Sequence, residues 1–181
     1  MEPPAILKTS RLVLRPLETG DAKALFGLFS FPEVTRYYEI DTLRNEAQAL
    51  LLLEHFLACG RHAITLEGRF IGSCGLFAFH PEYHSASLGY DLLPECWGKG
   101  FMSEALCALL DHGFSSLSLN RINALVHPEN IRSIRLLERC CFEKEGVMRE
   151  FGFWKGAYHD MSLYALLKRH WDGCRKSLAQ G

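Results

Sequence analysis

Between two leucines and a glutamate the chain reads Leu92-Leu93-Pro94-Glu95-Cys96-Trp97-Gly98-Lys99-Gly100-Phe101-Met102-Ser103-Glu104. An apolar stretch stops at a proline, two glycines flank a lysine, and Met102, Ala105, Leu106, Leu109, Leu110 and Phe114 follow at helical spacing. A helix that begins here has unpartnered amides in its first turn and the positive end of its macrodipole behind them, which stabilises an anion. The glycines let backbone approach a phosphate closely, and Lys99 adds positive charge. Taken alone, Gly98-Lys99-Gly100 suits a plain structural turn as well as an anion cradle. Neither Gly-x4-Gly-Lys-Ser/Thr nor the six-residue dinucleotide fingerprint occurs, which sets nucleotide P-loops and dinucleotide sites aside.

A second segment, Pro128-Glu129-Asn130-Ile131-Arg132-Ser133-Ile134-Arg135-Leu136-Leu137-Glu138-Arg139-Cys140-Cys141-Phe142, follows the alternating stretch Arg121 to Val126. The two segments together resemble the acetyl-CoA site of the GNAT superfamily of N-acetyltransferases, and specifically its RimJ/RimL-like branch. Thr9-Ser10-Arg11-Leu12-Val13-Leu14-Arg15-Pro16 and Gly156-Ala157-Tyr158-His159-Asp160 also look like that branch, so the resemblance covers roughly residues 8 to 171. It implies a single α/β (α+β) domain, a mixed sheet of about seven strands flanked by helices. Acetyl-CoA would lie where two neighbouring parallel strands splay apart.

Carried over by position, the resemblance implies that amides around Lys99, Gly100, Met102 and Ser103 hold the CoA pyrophosphate. Leu92 and Leu93 would offer backbone groups to the pantetheine and the thioester carbonyl, Asn130 would hydrogen-bond the pantetheine arm, and Ser133 would face the thiol. Asn130 also reads as a helix N-cap. The chain departs from the family at Trp97, often Gln or Arg, at Met102, often small, and at Cys141, usually Gly. Leu137 stands where many members carry an acid tyrosine.

An amine attacks a thioester only as the free base, so the site must stabilise an oxyanion and return a proton to the leaving thiolate. An N–H near Leu93 is the expected oxyanion donor, because a strand broken before Pro94 leaves donors unpaired, and Ser133 is the expected proton source. An α-amine titrates near ~7.8, whereas a lysine or polyamine amine near ~10.4 requires about 3.5 kcal/mol more to be neutral. Glu33, Glu39, Glu82, His84 and Asp91 are the candidate bases, and the sequence does not choose among them. Glu33, Tyr38, His84, Tyr90 and Trp154 are the candidate acceptor-binding residues, with Tyr37 and Tyr158 as further aromatics; each reads equally as surface or core.

The elements that position these groups follow from periodicity. Arg11 to Arg15 alternates as a strand, Thr19 offers a cap for a helix carrying Leu25, Phe26, Leu28 and Phe29, and Phe31 to Asp41 reads as a loop. Thr42 can cap a helix running through Leu57 to Gly60. His62–Leu66 and Phe70–Phe79 form a hairpin about Glu67-Gly68-Arg69, and Ala86–Leu93 is a strand before the long helix. Arg121–Val126, a helix over Asn130–Cys140, and strands at Glu143–Glu150 and His159–Leu166 complete the pattern, with Lys155-Gly156 supplying a turn.

The chain has 181 residues, 48% of them hydrophobic, and 20 basic against 21 acidic residues leave a net charge of -1. No global field draws it to nucleic acid or anionic lipid, and no apolar run reaches the length that spans a bilayer. His80-Pro81-Glu82-Tyr83-His84 has no supporting ligand cluster, so no metal is expected. Seven cysteines without a CxxC pair suit free thiols packed in a core, and Met1-Glu2-Pro3-Pro4 lacks a signal-peptide pattern, so a cytoplasmic protein, monomer or homodimer, is expected. The leading function is acetyl transfer from acetyl-CoA to a primary amine, with a protein N-terminus favoured by the branch resemblance. Polyamines, aminoglycosides and metabolites remain open as acceptors, as does a non-catalytic acyl-CoA-binding module.

Overall fold

Alternation of Leu12, Val13 and Leu14 sends both leucines inward and leaves Val13 at the surface, and strand β2 (Leu12–Pro16) forms there beside the two-residue β1 (Leu7–Lys8). The structure, a computed structural model, describes residues 5–178. After β2 come α1 (Ala22–Phe29), α2 (Pro32–Thr35), α3 (Glu46–Ala58), β3 (His62–Leu66), β4 (Arg69–His80) and β5 (Ser85–Leu92). The rest of the chain supplies α4 (Phe101–Ser115), β6 (Arg121–Val126), α5 (Ile131–Arg139), β7 (Glu143–Trp154), β8 (Ala157–Leu167) and α6 (Lys168–Leu178).

The strands form one eight-stranded sheet in the order β1-β2-β3-β4-β5-β6-β8-β7. Only the β5–β6 pair is parallel; every other neighbouring pair is antiparallel. Apolar faces of α1 and α3 pack on one side of the sheet through Leu25, Leu28, Phe29, Leu53 and Phe56. On the other side Leu106, Leu109, Leu110 and Phe114 of α4 join Leu136 and Leu137 of α5 and Trp171 of α6.

Several local expectations shift. The eighth strand is the short β1, which has too few residues to show a period. Asn45, not Thr42, caps α3 by accepting from the Gln48 amide at 3.0 Å, and the Thr42 hydroxyl instead meets that of Thr35 at 2.7 Å. The segment read as a loop contains α2, opened by Pro32 in the first turn, where its missing N–H costs nothing. β7 runs on to Trp154, its irregularity taken up by Glu150 at φ 50°.

The expectation that all seven cysteines are free fails at Cys141 and Cys174, which form a disulfide joining the end of α5 to α6; the other five are free. Cys141 follows α5 at φ 62°, and the amides of Cys141 and Phe142 return to the carbonyls of Glu138 and Leu137. This is a helix stop that glycine enters without penalty and other residues enter at a cost of about 1 kcal/mol.

Arg61 is 5% exposed and lies across a registered pair of glycines, Gly75 of β4 and Gly89 of β5. A methyl at Gly75 would stand 2.9 Å from the Arg61 Cγ and 3.1 Å from its Cα, and backbone cannot swing aside. Gly75→Ala is therefore expected to destabilise the fold by about 1–3 kcal/mol, an overpacking cost read from the urea unfolding midpoint.

Candidate active site

β5 is eight residues long, yet only Ser85, Ala86 and Ser87 pair with β6, against Arg121, Ile122 and Asn123. β6 keeps its full register with β8 through Val126, so from Leu88 onward β5 and β6 part. Successive residues of a strand aim their N–H and C=O groups at opposite edges. The carbonyl of His84 accepts from Asn120 and Arg121 on the β6 side, whereas the Leu93 amide donates to Ile71 of β4 at 2.9 Å. The amides of Leu88, Tyr90 and Leu92 consequently face the opening. The expected oxyanion donor moves by one residue: Leu93 N–H is already engaged with β4, and Leu92 N–H is the one aimed at the gap.

Beyond β5, the carbonyl of Leu92 accepts from the indole N–H of Trp97 at 2.8 Å, which folds the Gly98-Lys99-Gly100 turn back onto the strand. Gly98 and Gly100 take φ 75° and 78°, the left-handed conformation that favours glycine. Among the described residues, the amides of Gly98 through Ser103 meet no protein acceptor, and the first internal bond runs from Glu104 N to Gly100 O at 3.0 Å. A fan of amides at a helix start, with Lys99 exposed beside it, is what a phosphate needs. Met102 itself is buried in the α4 core, so only its amide belongs to the turn.

Two arginines complete this corner, and neither is signalled by the glycine spacing. Arg11 donates to the Lys99 carbonyl at 3.2 Å, lies 4.5 Å from the Phe101 ring centroid, and pairs with Glu104 at 2.6 Å. Arg132 of α5 stacks over Trp97 at 4.4 Å and brings the two motifs into contact. Glu104 also accepts from Thr9 Oγ1 at 2.5 Å, Ser10 Oγ at 3.0 Å and the Arg11 amide at 2.9 Å. Burial opposes its ionisation, but these hydrogen bonds outweigh it and hold the carboxyl at about 2.

On the same face of the sheet, Tyr90 Oη and Ser133 Oγ lie 2.5 Å apart. Asn130 caps α5 by accepting from the Ser133 amide at 3.2 Å, which fixes Ser133 on the first turn. Burial pushes the Tyr90 phenol well above its usual range, although the Ser133 bond works against this, so it remains protonated at neutral pH. Leu137 is 1% exposed and packs in the core, away from any acid role.

Asp91 points to the opposite face. Its carboxylate pairs with Arg61 at 2.5 Å and accepts from the hydroxyls of Tyr38 and of Ser73, the latter at 3.3 Å. Asp91 is thereby removed as a free base, and the Tyr38 hydroxyl is removed as a substrate contact. Glu33 and Glu39 are exposed on α2 and the loop after it. Trp154 is buried and stacks on His159 with centroids 4.0 Å apart, and His127, just past β6, sits 5.5 Å from His159 and 4.9 Å from Tyr37. His84 is a correction: it precedes β5, at the end remote from Leu92, and eight residues of strand span roughly 25 Å. Glu82 lies in the same distant turn, where adjacency in sequence to β5 concealed the direction of the strand.

A family model described as an acetyltransferase (GNAT) domain matches residues 11–143. The chain is 41% identical over 180 residues to an uncharacterized N-acetyltransferase p20 from Bacillus licheniformis, covering 92% of this chain and 98% of that one. It is 28% identical to a spermidine N(1)-acetyltransferase from Vibrio cholerae, covering 88% and 94%, and 37% identical over 90 residues to the ribosomal protein uS5-alanine N-acetyltransferase of Escherichia coli, covering 50% and 46%. The crystal structure of an acetyltransferase from T. thermophilus superposes with a TM-score of 0.88 at 29% identity, covering 99% and 98%. No helix among the described residues is long and apolar enough to cross a membrane.

The lowered Glu104 pKa gives a signed expectation. Its contribution is present above the ordinary value of 4.5 and is lost as pH falls toward about 2. Urea unfolding of the wild type and Glu104→Gln should differ by about 1 kcal/mol at pH 7, after allowance for solvent screening, and the gap should narrow steadily below pH 4.

Proposed function

Because the chain belongs to the GNAT acetyltransferase family, we propose that it acetylates the α-amine of a protein N-terminus, with acetyl-CoA as donor. N-acetyl transfer itself follows from the family. The observation that carries the acceptor is the state of the carboxylates: the two buried ones, Asp21 and Asp91, are each paired with an arginine, Arg15 and Arg61. No buried carboxylate among the described residues stays free to strip a proton from an amine of pKa ~10.4. An α-amine near ~7.8 is about a tenth neutral at pH 7 and can lose its proton to water. The relatives named for spermidine and for a ribosomal protein alanine keep both acceptor classes in view.

In this reading, the amides from Gly98 to Ser103, with Lys99, hold the pyrophosphate, and the Asn130 side chain lies along the pantetheine. Acetyl-CoA supplies the acyl group. As the amine nitrogen bonds to the carbonyl carbon, Leu92 N–H donates to the oxygen that gains charge, a contribution worth about a hundredfold or more in rate for a preorganised donor. The C–S bond then breaks, and Ser133 Oγ–H protonates the thiolate sulfur. Tyr90 Oη–H refills Ser133 across their 2.5 Å contact, and the proton shed by the amine to water restores Tyr90. Tyr90 thus stands in for the acid tyrosine that Leu137 cannot supply.

Two measurements test this. CoA release should be fastest with peptides presenting a free N-terminus, and kcat/KM should rise with pH and level off near ~8, where the α-amine has lost its proton. Faster turnover of spermidine, with a rise continuing toward about pH 10, would transfer the assignment to polyamines. Separately, Tyr90→Phe and Ser133→Ala should each lower kcat by about tenfold or more while leaving acetyl-CoA affinity by calorimetry within about twofold. Equal turnover in both variants would make water the proton source.

A further inference from the structure

Tyr37 and Tyr38 are neighbours in sequence but grip opposite sides of the opening between β5 and β6. Tyr38 donates its hydroxyl to Asp91 of β5 and packs edge-on against Phe29 with centroids 5.7 Å apart. Tyr37 stacks on His127 and donates to the carbonyl of Glu129 at 3.2 Å, both in the turn that follows β6. The residues just before them are tied as well: Lys155 Nζ, in the β7–β8 turn, donates to the Thr35 carbonyl at 2.6 Å. The segment between α1 and α3 is therefore stretched over the gap and fastened on each side.

We infer that this dipeptide is a clamp that sets the width of the opening on its acceptor side, with Tyr38 as a positioning residue acting through Asp91. The acceptor side is the relevant one because Tyr38 packs in the α1–α3 layer, whereas the phosphate turn, Tyr90 and Ser133 lie in the α4–α5 layer. β5 lacks a partner strand along Leu88–Leu92 on one edge, so a tether at Asp91 holds in place the amides flanking it. Arg61 keeps Asp91 charged and oriented, and it is braced by Ser73 at 3.0 Å and the Phe56 ring at 4.1 Å. A charge-assisted bond of this kind is stronger than a neutral one, and deleting the phenolic oxygen alone removes it without opening a large cavity. The effect on the acceptor rests on the acetyl-transfer reading, whereas the clamp itself does not.

Tyr38→Phe separates the two. Amide hydrogen exchange across residues 31–45 should accelerate by about tenfold or more, while α4 and α5 and the calorimetric affinity for acetyl-CoA stay within about twofold. With an alanine-starting peptide as acceptor, KM should rise more than kcat falls. Unchanged exchange over 31–45 would overturn the clamp whatever the substrate, and faster exchange with an unchanged KM would overturn its role at the acceptor side. Faster exchange in a protein whose wild type turns over no amine would support the clamp and sink only the acceptor assignment.

Discussion

The pairing between β5 and β6 lasts three residues and then stops, and the rest of the site depends on that interruption. Backbone amides inside a sheet are normally consumed by the next strand. Where β6 turns away, those of Leu88, Tyr90 and Leu92 remain available in a sheltered groove, already oriented by the β4 register on their other side. A donor fixed before the reaction needs no reorganisation as charge develops, which is why an interrupted ladder serves a carbonyl better than flexible side chains would. The same interruption creates a structural difficulty, because an edge inside a sheet must be held open without being filled.

Both faces of the sheet answer that difficulty with residues alternating along one strand. Tyr90 and Leu92 turn toward α4 and α5, where they meet Ser133 and, through the Leu92 carbonyl, Trp97. Asp91 turns the other way into the Arg61, Ser73 and Tyr38 network. A buried ion pair stabilises little on net, since desolvation offsets most of its attraction, but losing one partner is costly. That asymmetry makes it better suited to fixing a position than to adding stability. The facing glycines at 75 and 89 fit this view: they give Arg61 a channel across the sheet at the expense of side-chain packing there.

What was legible in the sequence was what is local. The Gly98-Lys99-Gly100 turn, the Asn130 cap and Ser133 each lie within one strand-to-helix junction, so residue type and spacing suffice to read them. The succession of strands and helices along the chain followed from periodicity for the same reason. Partners drawn from far along the chain were not legible. Arg61 meets Asp91 across 30 residues, Tyr38 meets it across 53, and Tyr90 meets Ser133 across 43. Tyr38 and Tyr90 were visible as aromatic residues, but nothing local says whether a phenol faces solvent, substrate or a buried carboxylate. His84 misled because it adjoins β5 in sequence while standing at its remote end. Cys141 carried a local sign, replacing a glycine where the helix stops, yet its bond to Cys174 depends on how α6 packs.

Charge at the phosphate corner poses a last question, because Glu104 sits in the first turn of α4, close to where an anion would bind. A carboxylate there benefits from the helix dipole but would repel a pyrophosphate. The Thr9-Ser10-Arg11 segment resolves the conflict: two hydroxyls, one amide and one guanidinium converge on that carboxylate, and Arg11 cancels its charge. The dipole and the free amides of the turn are then left to the ligand. The same contacts pin α4 to the segment between β1 and β2, so the helix start is located by the opposite end of the sheet from the strands that part. A motif near the N-terminus and a helix more than 90 residues later thus form one functional unit, joined by a carboxylate that itself touches no substrate.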